Sequence, residues 1–301
     1  MFKKRETLIQ NMAYMALMAG INVIFVLLSA LFPPLMFLMI FLLTLANAVV
    51  TIFCKKKYYP IYFIVTVGLC LLTTFGIYIY DTFFYVIPSL ITGFVFGLLI
   101  EKRWPAIHIL TITNIIQYSL MLLTFLILDK VLVGVKFTDT LLAIFGLQNF
   151  AFKEVFIHVF AFLIASIQNL FTYFIIKMEV KKLGITVNLN DDRPLYKYIA
   201  IFVSIILAII TYFYYAPLCF AFIFIALFYG IYEIGEILIN KKLIPIIILG
   251  ATLIISIFLF AFLYQYTTRP LSIVLLSIPL GLINIVSIVN NTLLKRANSL
   301  K

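Results

Sequence analysis

The chain alternates between long apolar runs and short polar gaps. A helix needs about 20 mostly apolar residues to cross a hydrocarbon core roughly 30 Å thick, and ten runs approach or exceed that length. They are continuously apolar and lack the in/out alternation of barrel strands, so the pattern predicts an all-α, polytopic transmembrane helix bundle. The predicted spans are residues 10–31, 34–53, 60–80, 84–100, 105–128, 155–176, 196–215, 217–239, 243–264 and 271–293.

Lys and Arg residues are concentrated in every second gap. Eighteen of the 22 lie at the two termini and in the second, fourth, sixth and eighth gaps, and the exceptions are Lys130, Lys136, Lys153 and Arg269. Because translocation of basic residues is disfavoured, the rich side is the cytoplasmic side. Both termini are therefore predicted to be cytoplasmic. This requires an even number of spans, which is ten, or eight if two of the runs are re-entrant or interfacial.

The composition agrees with a membrane protein, since 65% of the 301 residues are hydrophobic and 11% are charged. A soluble domain of this length would need a far more polar surface. The net charge of +11 follows from the basic gaps, which set the orientation and contact anionic lipid. No gap is long enough for a basic extramembranous domain, so the predicted partner is the lipid bilayer and not nucleic acid. The first run exceeds the apolar core of a signal peptide and predicts an uncleaved anchor.

Catalytic, metal and cofactor signatures are missing from the sequence. His108 and His158 stand alone on different spans, which leaves no zinc-binding pair and no His-based triad by sequence. There is no Gly-rich loop ending in Gly-Lys-Ser/Thr. Cys54, Cys70 and Cys219 have no paired spacing. We therefore expect that the protein is not an enzyme and that it has no catalytic residue, metal site or cofactor.

Uncharged polar residues form two stripes inside the apolar runs. Asn114, Gln117 and Tyr118 lie at positions i, i+3 and i+4 of the fifth span, and Gln168 and Asn169 are adjacent on the sixth. Amides buried in lipid commonly hydrogen-bond one helix to another. Alternatively, the stripes converge on a pocket of amides, tyrosine and apolar walls that suits a small, weakly charged solute. On that hypothesis these five residues bind substrate.

Glu233 is the one carboxylate that lies well inside a predicted span. A charge at the bilayer centre costs roughly 3 kcal/mol and less toward the interface, so we predict that Glu233 snorkels or pairs with Lys241 or Lys242 at the helix end. The functional alternative is a polar group that faces a cavity. Glu233 is accordingly the sixth candidate substrate-binding residue.

The segment between Asp129 and Glu154 is an outer gap with apolar residues near helical spacing. The spacing favours an interfacial helix over a simple loop, and such a helix could act as a lid over an outward-facing site. The residues that carry this pattern are Phe137, Leu141, Ile144, Phe145 and Phe152.

Small residues line up on two spans. Ala16 and Gly20 share a face of the first span, and Gly93 and Gly97 form a GxxxG pattern on the fourth. Such faces let another helix approach closely. That helix belongs either to the same chain or to a partner membrane protein.

Several stretches along most of the chain share small residues and prolines with one known family. They are the basic N-terminus before the Ala16/Gly20 helix, residues 87–97 followed by 101–103, and residues 228–230, 279–282 and 294–296. In these stretches the chain resembles the YybS-like predicted membrane proteins of low-GC Gram-positive bacteria. Those proteins are similar to the substrate-binding S components of energy-coupling factor (ECF) transporters.

The resemblance implies a role in solute uptake across the bacterial cell membrane, in which separate ATPases and a transmembrane coupling subunit supply the energy. It places Ala16 and Gly20 at the contact with the coupling subunit. Residues 1–182 would form a six-helix region of S-component size, and residues 183–301 a four-helix extension. Two other functions stay open. One is a self-contained carrier of the drug/metabolite type, although no repeat relates residues 1–150 to 151–301. The other is a non-transport scaffold in envelope or sporulation-type assembly.

Overall fold

The computed structural model describes residues 5–32, 36–74, 81–131, 139, 142–143, 153–182, 194–214, 216–239, 243–264, 275 and 277–299. Within these residues the regular structure is helical and there is no strand, which confirms the all-α prediction. The chain divides into two compact units, Met1–Asp191 and Asp192–Lys301. Each unit is described by itself.

The N-terminal unit is built around α2. Its helices are α1 (Leu8–Leu31), α2 (Met36–Phe53), α3 (Tyr59–Thr73), α4 (Ile87–Glu101), α5 (Ala106–Val131) and α6 (Lys153–Lys182). A 3-10 turn at Lys56–Tyr58 precedes α3, and a π-helical turn at Thr82–Val86 leads into α4. Helix α2 packs against α1, α4 and α6, while α3 packs on α1 and α5 packs on both α4 and α6.

The start of α1 is fixed by local hydrogen bonds and by the turn after α2. The Thr7 hydroxyl oxygen accepts a hydrogen bond from the backbone N–H of Gln10, and Gln10 Oε1 accepts one from the backbone N–H of Thr7, which forms a capping box. The backbone N–H of Arg5 donates to the carbonyl oxygen of Phe53 at 3.1 Å. The Arg5 guanidinium lies 3.4 Å from the centre of the Tyr14 ring, a cation–π contact. Arg5, just before α1, is thereby attached to the end of α2.

Gly93 and Gly97 bring α4 into backbone contact with α2. A Cβ atom added at Gly93 would lie 2.5 Å from the Cβ of Asn47 and 2.9 Å from the carbonyl oxygen of Thr44. One added at Gly97 would lie 2.9 Å from the carbonyl oxygen of Ala48. Because no larger residue fits at this separation, the GxxxG pattern of the fourth span is used inside the chain.

The C-terminal unit contains α7 (Pro194–Tyr212), α8 (Ala216–Ile239), α9 (Leu243–Tyr264) and α10 (Ser277–Ser299). A short connection at residues 213–215 joins α7 to α8, and the two helices form the most extensive contact of the unit, as an antiparallel hairpin. Helix α10 packs against α7, α8 and α9. One small apolar core of the unit is formed by Ile237, Leu249 and Ile283.

Six helices in the described part of the chain are long and apolar enough to cross a membrane. They are Leu8–Leu31, Thr82–Glu101, Ala106–Leu128, Ile157–Met178, Leu195–Tyr212 and Leu218–Leu238. Shorter apolar helices cover Leu42–Phe53, Leu243–Ser256 and Ser277–Asn290. The bundle is thus compatible with a membrane protein. The count of ten spans and the cytoplasmic placement of both termini stay predictions.

Some expectations concern residues outside the described ranges. The predicted interfacial helix lies between Asp129 and Glu154. Within that segment the structure describes residues 129–131, 139, 142–143 and 153–154. Lys241 and Lys242, the predicted partners of Glu233, also lie outside the described residues. The same holds for several members of the basic gaps, including Lys3 and Lys4.

Candidate functional site

A layer of buried polar side chains crosses the interior of the N-terminal unit. All of its members are at most 4% exposed. We call it the amide layer; it consists of Asn22, Thr44, Asn47, Tyr62, Ser89, Asn114, Gln117, Ser166, Gln168 and Asn169. It includes four of the six substrate-binding candidates from the sequence.

One part of the amide layer joins α1, α2 and α3. The Asn22 side-chain NH₂ donates to Asn47 Oδ1 at 3.0 Å and to Tyr62 Oη at 2.8 Å. The Tyr62 hydroxyl donates to Asn47 Oδ1 at 2.6 Å. Three helices therefore share one closed set of hydrogen bonds. The sequence did not point to this group, because each residue stands alone on its own helix and no spacing relates them.

A second part of the layer is centred on Gln168 of α6. Gln168 Oε1 accepts hydrogen bonds from the hydroxyl of Thr44 on α2, at 3.4 Å, and from that of Ser89 on α4, at 3.3 Å. Ser89 lies one helical turn before Gly93, where the backbone of α4 is close to that of α2. Gln168 therefore links α6 to α2 and α4 near their close contact.

The third part joins α5 to α6. The Asn169 NH₂ donates to Gln117 Oε1 at 3.3 Å and to the carbonyl oxygen of Ala165 at 2.9 Å. The Ser166 hydroxyl donates to Asn114 Oδ1 at 3.4 Å. The two stripes predicted from the sequence therefore meet, with Asn114 and Gln117 facing α6. Gln168 and Asn169, although adjacent, bond to different neighbouring helices.

Tyr118 does not belong to the amide layer. Its hydroxyl lies 3.0 Å from Nδ1 of His158, which is an exposed residue of α6, and its ring packs against Phe162. Tyr118 thus lies at the border of the α5–α6 contact and not among the buried amides. Tyr118 is four residues after Asn114 and so lies on the same face of α5. It lies at the edge of that face.

The amide layer and its neighbours contain more hydrogen-bonding atoms than the protein satisfies. Among the described residues no protein partner contacts the NH₂ groups of Asn47, Gln117 and Gln168 or the side-chain oxygens of Asn22 and Asn169. The buried hydroxyls of Thr92 and Thr172 likewise have no protein partner among the described residues. A buried polar group without a partner costs about 1–3 kcal/mol. The layer therefore contains buried donors and acceptors that the described protein atoms leave unpaired.

The small-residue face of α1 is not covered by another described helix. An added Cβ at Gly20 would have no atom within 4 Å, and Ala16 is exposed. Leu17 and Ile24, which flank the same face, are 59% and 54% exposed. In contrast to Gly93 and Gly97, Gly20 has no packing role within the described part of the chain.

Glu233 lies in the C-terminal unit and forms a buried ion pair. Its Oε1 is 2.5 Å from Nζ of Lys197, and the two side chains are 1% and 5% exposed. Its other carboxylate oxygen accepts a hydrogen bond from the hydroxyl of Ser287 on α10. Lys197 was not among the partners predicted from the sequence, and it meets Glu233 because the antiparallel α7–α8 hairpin brings the start of α7 beside the end of α8. The predicted pairing with Lys241 or Lys242 lies outside the described residues.

Aromatic and amide side chains surround this ion pair. Lys197 Nζ lies 5.2 Å from the centre of the Tyr232 ring and 5.4 Å from that of Tyr198. The Tyr198 hydroxyl is 3.5 Å from Ser287 Oγ, and the Asn284 NH₂ donates to the backbone carbonyl of Tyr198 at 3.3 Å. Helices α7, α8 and α10 therefore all contribute to the pair.

The described residues contain no group of three or more His, Cys, Asp or Glu side chains that could hold a metal ion. Cys54, Cys70 and Cys219 are buried and form no disulfide. Burial raises the pKa of the Cys54 thiol, and the Arg5 guanidinium opposes part of this increase.

Comparison with known protein families, curated proteins and solved structures finds no match to this chain. The relation to YybS-like proteins and to ECF S components stays an expectation from the sequence.

Proposed function

We propose that the protein is a multi-pass membrane protein that binds a small, weakly charged solute in the amide layer, as the substrate-binding component of an uptake system in a bacterial cell membrane. The observation that carries this proposal is the excess of buried donors and acceptors in that layer. In such a system separate ATPases and a transmembrane coupling subunit supply the energy.

The depth of the amide layer supports binding inside the bilayer. Gln168 lies about 20 Å from either end of α6, and Gln117 about 16 Å from the start of α5. At such depth no bulk water is available to unsatisfied polar groups, which makes them costly unless a bound molecule pairs with them. Polar groups that merely join helices would be expected to satisfy each other more completely.

The chemistry of the layer defines the class of solute. Its members are amides and hydroxyls, and none of them carries a charge. A charged ligand would lack a counter-charge and would lose its hydration on entry. The layer instead suits a neutral molecule that bears both donor and acceptor groups, such as an amide or a polyol, enclosed by the apolar side chains of the bundle.

The uncovered face of α1 supports a partner in the membrane. Ala16 and Gly20 allow close approach by another helix, and no described helix of this chain uses them. In the proposed uptake system this face contacts the coupling subunit. Both chain termini would then lie in the cytoplasm, as the distribution of basic residues predicts.

Native mass spectrometry of the full chain, purified in its lipids, tests solute binding. We expect a retained small molecule in the wild type and in Tyr118→Phe, which alters α5 outside the layer. Gln168→Leu and Gln117→Leu should lose it while the protein remains folded. Equal retention in all four proteins would contradict the proposal. Lower thermal stability of the leucine variants, with no bound molecule in any of the four, would favour the scaffold alternative.

Co-purification separates the transport alternatives. A coupling subunit and ATPases that elute with the chain favour the S-component function. Transport by the isolated chain in liposomes favours a self-contained carrier. When neither result is obtained, a non-transport scaffold is the better interpretation.

A further inference from the structure

The ion pair in the C-terminal unit is a second candidate site, independent of the amide layer. Lys197 of α7, Glu233 of α8 and Ser287 of α10 are each at most 5% exposed side chains in one hydrogen-bonded group, which we call the Glu233 cluster. Ionisable residues inside membrane spans are costly, and a functional site is the first hypothesis for them. Substituting apolar residues for a buried ion pair is often neutral or stabilising, so stability alone does not account for this one.

Lys197 lies close enough to the membrane boundary to leave the cluster. It is the fourth residue of α7, about 5 Å along the axis from the helix start. A lysine in such a position commonly extends its ammonium to the interface. Here the ammonium is instead directed to Glu233, which lies six residues before the end of α8. The long side chain of Lys197 can reach either environment from this position.

Oxygen atoms dominate the surroundings of the Glu233 carboxylate. Ser287 Oγ contacts it directly, and Tyr198 Oη lies 3.5 Å from that hydroxyl. Asn284, one helical turn before Ser287, has a buried Oδ1 with no partner among the described residues. Carboxylate, hydroxyl and amide oxygens are the ligands that hard cations take. The cluster thus offers oxygen donors from α7, α8 and α10.

Charge balance limits which cation can enter. The buried carboxylate needs one positive charge close by, and at present the Lys197 ammonium supplies it. Exchange of that ammonium for one monovalent cation keeps the site neutral, whereas a divalent ion would leave an excess charge. The other titratable groups around Glu233 are Tyr198, Tyr232 and Glu236. The described side chains of α10 are uncharged, and α9 has no charged residue.

We propose that the Glu233 cluster is a cation-exchange site, in which a small monovalent cation, H⁺ or Na⁺, binds Glu233 and Ser287 while the Lys197 ammonium moves to the membrane interface. No covalent bond forms or breaks in the Na⁺ exchange, and in the H⁺ exchange Glu233 takes up one proton from the water. Departure of Lys197 breaks the ionic link between α7 and α8. Cation binding therefore loosens the start of α7.

Binding of ²²Na⁺ to the full chain in nanodiscs tests the sodium form, with N-methylglucamine holding the ionic strength constant. We expect saturable binding by the wild type that weakens as the pH falls. Lys197→Ala should bind Na⁺ about tenfold more tightly or better, because the tethered competitor is removed. Glu233→Gln should bind none. Glu236→Gln, one turn further along α8, is the matched control and should still bind Na⁺, weakened only by the loss of one neighbouring charge.

Infrared difference spectra between low and high pH test the proton form. A band from a protonated buried carboxyl should appear in the wild type and be missing from Glu233→Gln. Hydrogen exchange in the first turn of α7 should rise in the wild type when Na⁺ or acid is added. If Na⁺ does not bind but this band and the faster exchange are present, the proton is the cation that enters.

The wild type alone decides the question if a variant fails to fold. The proposal is overturned when the wild type shows neither Na⁺ binding nor protonation of Glu233 between about pH 4 and pH 9. It is equally overturned when Glu233→Gln binds Na⁺ as the wild type does. Solute binding by Gln168 and Gln117 does not enter these measurements, so each proposal can fail without the other.

Discussion

Replacing Gly93 by alanine should disturb both the packing and the polar chemistry of the N-terminal unit. The added Cβ would lie 2.5 Å from Asn47 Cβ and 2.9 Å from two α2 backbone atoms, the carbonyl oxygen of Thr44 and the nitrogen of Ala48. Carbon atoms in ordinary contact are about 3.5–4.0 Å apart. Backbone atoms cannot rotate away, so α2 and α4 must separate by roughly 0.5–1 Å.

The energetic cost can be estimated from two opposing effects. Overpacking of a filled interior costs about 1–3 kcal/mol. Alanine gains up to about 1 kcal/mol over glycine through helix propensity. We therefore expect Gly93→Ala to lower the free energy of unfolding by up to about 3 kcal/mol.

The same separation acts on the hydrogen bonds of Gln168. Those bonds, to Thr44 and Ser89, are already 3.4 and 3.3 Å long, and a further 0.5 Å takes them beyond useful length. Solute binding should therefore fall by more than the loss of stability alone would produce. We thus expect two separable effects of Gly93→Ala: a loss of stability and an additional loss of solute binding.

Denaturant-induced unfolding of purified protein in mixed micelles measures the first effect, and native mass spectrometry measures the second. Gly68→Ala is the matched control, since no atom lies within 4 Å of a Cβ at that position of α3. It should be neutral or slightly stabilising. The steric interpretation is wrong if Gly93→Ala and Gly68→Ala have the same stability.

Three further predictions concern other parts of the chain. Burial raises the pKa of Asp81 to about 6 from an ordinary value near 4, so its protonated form favours the folded state and stability declines as the pH rises between these values. Asp81→Asn should therefore raise the melting temperature at pH 7 but not at pH 4. The control is Asp139→Asn, at an exposed position, which should leave the melting temperature unchanged. Gly20→Leu should leave the melting temperature unchanged, because the site is open, and should abolish co-purification of a coupling subunit; retained partners would argue against this face. Lys197→Met should destabilise the chain by about 3–5 kcal/mol, because it leaves the buried Glu233 carboxylate without a counter-charge. The double variant Lys197→Met/Glu233→Gln should recover most of that stability. A double-mutant cycle of unfolding free energies measures both effects.

The length and continuity of the apolar runs were sufficient to predict the helical class, and the amides of α5 and α6 were found from their spacing. Asn114 and Gln117 repeat on one helical face, and such a pattern is visible in sequence because it is local. Helix spacing alone also put Tyr118 with them. The sequence contains no information on how far that face extends before it reaches the edge of the neighbouring helix.

The remaining contacts depend on tertiary structure. Asn22, Asn47 and Tyr62 meet only because α1, α2 and α3 pack together, and no repeat in the sequence joins them. The partner of Glu233 was predicted among nearby lysines, whereas Lys197 lies 36 positions earlier along the chain. A hairpin of two long helices brings such distant positions together, and local pattern analysis does not consider them.

The contact at Gly93 and Gly97 has a mechanical consequence for the N-terminal unit. At Gly93 and Gly97 no side chain of α4 separates its backbone from α2, so the two helices have little room to slide or tilt there. They form a fixed frame, against which movement must occur elsewhere. The α5–α6 pair is held to that frame partly by hydrogen bonds of 3.3–3.4 Å from Gln168. If the amide layer binds a solute as we propose, we expect α6 to move against a stationary α2 and α4 when the solute enters.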